Sequence, residues 1–179
     1  WWVAKDDQTR GQFALGQNIV ATADPDEWDD TAHAVSLFNS FLKMPEVPLA
    51  GVAANTLVLK FASSWRPEGF DDANTSKFPV GPGDVAINNQ TAIVRVSFDG
   101  GAPVEVLRYD SKDGGPYFKP DAQNEQITLP LNNPAGATKV VVYFDMVEAA
   151  NDWWWAIDNV VLDAGATPPL ISQHPANVE

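Results

Sequence analysis

Apolar side chains recur at every second position in a series of short runs, and no helical spacing persists for three turns. Thr56 to Phe61 (TLVLKF) sets Leu57, Leu59 and Phe61 on one face with Lys60 opposite, as a half-buried strand requires. Thr91 to Phe98 (TAIVRVSF) places Ala92, Val94, Val96 and Phe98 on one face and Ile93, Arg95 and Ser97 on the other. Asp99-Gly100-Gly101 predicts a tight turn into a strand over Val104 to Tyr109, because adjacent glycines supply the positive φ of hairpin turns. Gln126 to Leu131 (QITLPL) aligns Ile127, Leu129 and Leu131, and Pro130 pushes it towards an edge or a bulge. Thr138 to Val147 aligns Val140, Val142, Phe144 and Met146 against Val141, Tyr143 and Asp145, which predicts a central strand partly covered on both sides. Asp152 to Asp163 (DWWWAIDNVVLD) forms the last strand, and Gly11 to Thr22 and Pro45 to Ala50 are weaker strand segments.

About eight strands in a chain of this length predict an all-β fold, a two-sheet antiparallel β-sandwich of jelly-roll type. Three stretches break the alternation and are expected to be loops: Ala23 to Ala34, Ser63 to Gln90, and Asp110 to Asn124. The middle one carries Trp65, Arg66, Glu68, Phe70, Asp71, Asp72 and Phe78, and long loops in compact domains usually serve function. Residues 1–164 form the expected sandwich domain. Residues 165–179 (GATPPLISQHPANVE) read as a linker stiffened by Pro168-Pro169 and leading to a further module. The start at Trp1, with no methionine, suggests a processed piece of a longer product.

Composition narrows the function classes. The 179 residues hold 24 acids against 11 bases, a formal net charge of −13. So negative a surface repels nucleic-acid phosphates and anionic lipid, so neither is an expected partner. No apolar run approaches the roughly 18 residues of a membrane-spanning helix. With no cysteine, disulfides, thiol nucleophiles and thiolate zinc sites drop out; 14 prolines, 12 glycines and seven tryptophans fit a turn-rich β protein with many rings.

The succession DPDEWDD (24–30), LKMPEVPLAG (42–51), TLVLKF, VRVSFDGGAPVEVL (94–107), VVVYFDM and DWWWAIDNVVL (152–162) resembles secreted bacterial jelly-roll accessory domains of the MAM-like and carbohydrate-binding-module-like kind. The SFDGG hairpin and the WxIDNV ending carry most of that resemblance, and PPLISQHPANVE is similar to the lead-in of an immunoglobulin-like repeat. The resemblance implies an extracellular or cell-surface, non-catalytic module of a multidomain exoprotein that binds a polysaccharide or cell-surface glycan. It also implies structural calcium joining an early loop to the last strand, with Asp158 as the foremost ligand. Asp24, Asp26, Asp29 and Asp30, with Glu27, supply carboxylates in the early loop.

The tryptophans point to the same class of ligand. Alternation sends Trp153 and Trp155 to one face with Ile157 and Trp154 to the other with Ala156, so all three enter a core only if both faces are covered. Exposed indoles stack on the C–H faces of sugars while neighbouring polar groups bond the hydroxyls. Trp28, Trp65 and Trp154 are the candidate rings, with Arg66, Asn151 and Asp152 beside them in sequence. Burial beneath the long loop is the alternative role for those rings. The two histidines, His33 and His174, stand in no catalytic motif, and no paired-carboxylate run marks a glycosidase strand. A hydrolase with unidentified carboxylates and a filament or surface-layer subunit that assembles with copies of itself by strand or tail exchange are the rival functions. In the latter, Trp1 and Trp2 would be the donated strand; otherwise they belong to the domain's own first strand.

Overall fold

The computed structural model describes residues 2–3, 10–29, 31–32, 36–67, 90–149 and 153–165. Two antiparallel sheets face each other. The first, sheet A, has the order β1 (Trp2–Val3), β2 (Ala21–Ala23), β10 (Trp155–Asp163), β5 (Val58–Trp65), β8 (Ala122–Pro130). The second, sheet B, has the order β3 (Phe38–Lys43), β9 (Lys139–Ala149), β6 (Thr91–Phe98), β7 (Val104–Asp110), and β4 (Val47–Pro48) also pairs with β9. From β2 onward the chain crosses between the sheets except at β3–β4 and at the β6–β7 hairpin, so that β2, β10, β5 and β8 oppose β3, β9, β6 and β7, the connectivity of a jelly roll. Trp2 pairs with Thr22 inside the chain's own sheet.

The expected alternation carries the core. Leu57, Leu59 and Phe61 meet Val94, Val96, Val140, Val142, Phe144 and Met146 between the sheets. Phe61 and Phe144 touch edge to face with centroids 5.2 Å apart. β5 runs four residues past Phe61, to Trp65, because its two serines do not interrupt it. Ser63 Oγ accepts a hydrogen bond from Trp155 Nε1 at 3.0 Å, which satisfies the polar atoms of both buried residues. Ser63 to Trp65, expected in the long loop, are therefore strand, and Trp65 is a core residue with Nε1 bonded to Lys119 O at 2.9 Å.

In β10, Trp155 and Ile157 point inward. The register against β5 then shifts between Asp158 and Val161, with Asn159 at φ 53°. That bulge inverts the alternation, so Val160 and Leu162 pack against the same core and Val161 is left exposed. Without it Val161 would face inward and Val160 and Leu162 would face out.

The expected loop 23–34 contains one short helix, α1 (Pro25–Asp29), and Gly11 to Thr22 is mostly not strand. Residues 10–20 instead form a strap that begins with a 3-10 turn (Arg10–Gln12) and lies across the outer face of sheet A. Phe13 closes over Ala62, Trp154 and Ala156, with Leu15, Val20 and Trp153 at its margin. Polar groups pin the strap: Asn124 Nδ2 donates to Gln12 O at 2.9 Å, Asn159 Nδ2 donates to Leu15 O at 3.0 Å, and Asp158 Oδ2 accepts from Gln17 N at 2.6 Å.

Candidate functional site

The links β2–β3, β5–β6, β7–β8 and β9–β10 all leave from one end of the sandwich, because Ala23, Trp65, Ala122 and Trp155 are register neighbours there. Asp24, Trp28, Trp65, Arg66 and Trp154 gather at that end. Their surroundings are structural. Trp65 and Trp154 are both fully buried, in the main core and under the strap respectively, and so present no ring face to a ligand. Trp28 packs tilted against Phe38, centroids 5.7 Å apart. Arg66 stacks on Trp153 at 4.6 Å and pairs with Asp121 at 2.6 Å.

Asp24 is equally enclosed. Its carboxylate pairs with Arg10 and accepts Glu27 N at 3.0 Å as the cap of α1. Burial pushes its carboxyl upward, and the Glu27 amide and Arg10 oppose that shift. Asp158 holds the strap through Oδ2 and the Asn159 amide through Oδ1, at 2.7 Å. The register sets Asp24 beside Trp154 and Asp158 four residues further along β10, a separation of about 13 Å at strand rise. Each carboxylate is held by the chain's own groups, Asp24 by Arg10 and the Glu27 amide, Asp158 by the Gln17 and Asn159 amides. Asp26 is partly exposed on α1. The side chain of Asp29, and Asp30, Asn151, Asp152, both histidines, Trp1 and residues 68–89, lie outside what the structure describes.

A different surface carries unsatisfied chemistry: the outer face of sheet B. The pairings Phe41↔Asp145 and Lys43↔Tyr143 continue as Ile93↔Asp145 and Arg95↔Tyr143, then as Ile93↔Arg108 and Arg95↔Glu105. Two cross-strand rows result. One reads Phe41, Asp145, Ile93, Arg108; the other reads Lys43, Tyr143, Arg95, Glu105. Phe41 is 62% exposed, and Tyr117, in the β7–β8 link, is 53% exposed with the Arg108 guanidinium 5.6 Å from its ring. Three strand spacings separate β3 from β7, about 14 Å.

The cations between those rings are held in place. Arg108 is gripped by Glu105 through Nε at 3.0 Å and Nη2 at 2.7 Å. Arg95 Nε donates to Asp145 Oδ2 at 2.5 Å, and its guanidinium lies 5.4 Å from the Tyr143 ring. Lys43 flanks the other side of Tyr143 at 5.9 Å. Asp145 is a buried carboxylate, its side chain 2% exposed, and its Oδ1 has no hydrogen-bond partner among the described residues.

A cleft of about 540 Å³ opens between the free edges of β7 and β8, lined by Val96, Phe98, Val104, Val106, Leu131 and Asn132. Its polar side chains are Glu105 and Asn132, and Glu105 is tied to Arg108.

No family model matches the chain, and no curated protein matches its sequence. Each strand's outward residues were legible in the alternation, with Ile93 and Arg95 opposite the core set of β6 and Tyr143 and Asp145 opposite that of β9. Their union into one surface was not, because strand neighbours across sheet B come from far apart in sequence.

Proposed function

We propose that the chain is a non-catalytic, extracellular binding module whose ligand is a polysaccharide or cell-surface glycan seated across the outer face of sheet B. The observation that carries this reading is the row Phe41, Asp145, Ile93, Arg108, which starts at one exposed ring and ends against another, Tyr117, with Arg95 in the neighbouring row. Two open rings offer faces to sugar C–H groups, and Arg95, Arg108 and Lys43 offer donors to sugar oxygens. An extended chain lying across the strands reaches both rings at once. A protein partner fits the face less well, since protein interfaces bury about 800 Å² per side around a contiguous apolar centre. Here the rings stand on opposite sides of sheet B, Phe41 on β3 and Tyr117 beyond β7, with charges between them.

Affinity electrophoresis against a panel of neutral and acidic polysaccharides tests the proposal. Wild-type protein is retarded by at least one of them; Phe41→Ala and Tyr117→Ala each weaken the retardation with unchanged melting temperature, since both rings are mostly exposed. No retardation by any glycan, or retention of full binding in both variants, refutes it. Calcium is a separate proposal, confined to the early loop that carries Asp26, Asp29 and Asp30. A melting temperature that rises with calcium and falls with chelator supports it, and one indifferent to both rejects it.

A further inference from the structure

We infer that the glycan recognised by this face is a carboxylated one, a polysaccharide containing uronic acid, and that Arg95 is the residue that selects it; the inference rests on the binding face proposed above. Asp145 engages Arg95 only through Nε, at 2.5 Å. Among the described residues neither Nη atom has a protein partner, and the Arg95 side chain is one-third exposed. A guanidinium fixed at Nε and backed by the Tyr143 ring presents its two remaining nitrogens as a rigid pair of donors, the geometry that a planar carboxylate accepts with both oxygens.

Asp145 explains why the fork stays put. Its carboxylate is buried with Oδ1 unpartnered, so Arg95 is the one cation in contact with it among the described residues. Swinging Arg95 away would leave a buried charge uncompensated, which costs several kcal/mol per ion. The side chain is thus preorganised, and a ligand carboxylate meets donors that need no reorientation. Arg108 differs, because Glu105 already occupies its Nε and Nη2.

The face lacks the acidic excess of the whole chain. Lys43, Arg95 and Arg108 share it with Asp145, Glu105 and Asp110, three cations against three acids, whereas the whole chain has 24 acids to 11 bases. Screening over about 8 Å at physiological salt confines the repulsion of the remaining acids, so contact charges at the face decide the sign of the interaction.

The test compares polygalacturonate and alginate with xylan, mannan and cellulose, a sulfated glycan, and polyglutamate, which carries carboxylates without sugar rings. Wild-type protein is expected to bind the uronans about tenfold or more tightly than the neutral chains, with the preference shrinking as salt rises. Arg95→Lys keeps a charge against Asp145 but removes the fork, and should erase the preference by weakening uronan binding far more than neutral-chain binding. The double variant Arg95→Gln with Asp145→Asn removes both charges at similar volume and should do the same; circular dichroism and the melting curve confirm that each variant is folded. Equal binding of acidic and neutral glycans, or an unchanged preference in folded Arg95→Lys, overturns the inference and leaves the binding face standing. Preference for the sulfated glycan overturns the carboxylate assignment, binding of polyglutamate alone overturns the sugar, and no glycan binding at all overturns both readings.

Discussion

Phe13→Ala removes the ring that closes the strap over Trp154. Phe13 is 5% exposed and meets Ala62, Trp154 and Ala156, all at 1% exposure or less. Truncating a buried phenylalanine costs about 3–5 kcal/mol, transfer and cavity terms together. The strap is a surface element and can settle partway into the gap, which places the expected loss near the lower limit, about 3 kcal/mol. For a domain of this size each kcal/mol moves the melting temperature by about 2–4 °C, so a fall of about 6–12 °C is expected in calorimetry. Tryptophan emission should shift to the red in the native baseline, because water reaches Trp154 while Trp65 and Trp155 stay in the main core. Gly16→Ala approaches the same contact from the other side: a Cβ there would lie 2.7 Å from Val20 Cγ1 and 2.9 Å from Phe13 Cδ1, so overpacking by about 1–3 kcal/mol is expected. In the Phe13→Ala background one of those two clashes is gone, and the cost of Gly16→Ala should shrink measurably in a double-mutant cycle. A melting temperature within about 2 °C of wild type for Phe13→Ala, with unchanged emission, refutes the strap as a structural cover.

Three further outcomes are expected. Asn133 is buried and serves three backbone groups: Oδ1 accepts Thr56 N at 3.0 Å and Leu57 N at 2.9 Å, and Nδ2 donates to Ala53 O at 2.8 Å. Asn133→Ala should therefore cost about 2–4 kcal/mol in urea denaturation, a change below about 0.5 kcal/mol counting against it. Asp24→Ala removes one of the two carboxylates on buried Arg10, leaving Glu27 at 3.0 Å, and uncaps α1, an expected loss of about 3 kcal/mol, whereas Arg10→Met with Asp24→Leu should lose less than the single variant because the buried pair is removed together. Asp99 accepts Thr138 Oγ1 at 2.6 Å and Thr138 N at 2.9 Å, and these bonds hold its carboxyl below the ordinary carboxylate value. A depressed native value adds stability that is present above the unfolded value and fades as pH falls through the native one, so melting curves of Asp99→Asn should lose part of the wild-type decline below about pH 4.

The two sheets were legible because alternation survives in every long strand. Leu57, Leu59 and Phe61, and Val140, Val142, Phe144 and Met146, occupy the core as their spacing requires. What escaped has particular causes. Asn159 and Glu148 adopt φ of 53° and 55°, and each lies at a register shift, so the strict period of two fails at the bulges of β10 and β9. Ser63 and Ser64 read as the start of a loop, because the partner of Ser63, the Trp155 indole, arrives from 92 residues away. The strap lacks any period, since an irregular segment that covers a sheet is positioned by Phe13 and by side-chain clamps. Tryptophan, large and apolar, suits a ligand platform in sequence but here Trp65, Trp154 and Trp155 are buried; among the described residues the exposed rings are Phe41 and Tyr117, whose neighbours in sequence gave no sign of a common surface.

The same asymmetry bears on function. A two-sheet sandwich has two outer faces, and this chain treats them differently. On sheet A the strap covers Ala62, Trp154 and Ala156, and Asp158, Asn159 and Asn124 spend their polar atoms fastening it. That part of the face is consumed by folding, although Lys60 and Val161 further along it stay exposed. This explains why the IDN segment looked functional: its polar side chains have specific partners, but those partners are the chain's own backbone. On sheet B, Phe41 lies open, Arg95 keeps two nitrogens without a protein partner among the described residues, and Asp145 is held buried at a cost that packing alone does not repay. Replacing the Arg95–Asp145 pair by apolar residues of similar size would be neutral or stabilising on general grounds, so retention of the pair on an outer face is more readily explained by recognition than by stability. Arg95→Met with Asp145→Leu decides between them: a variant at least as stable as wild type that no longer binds acidic glycan assigns the pair to recognition, and one that unfolds easily assigns it to the fold.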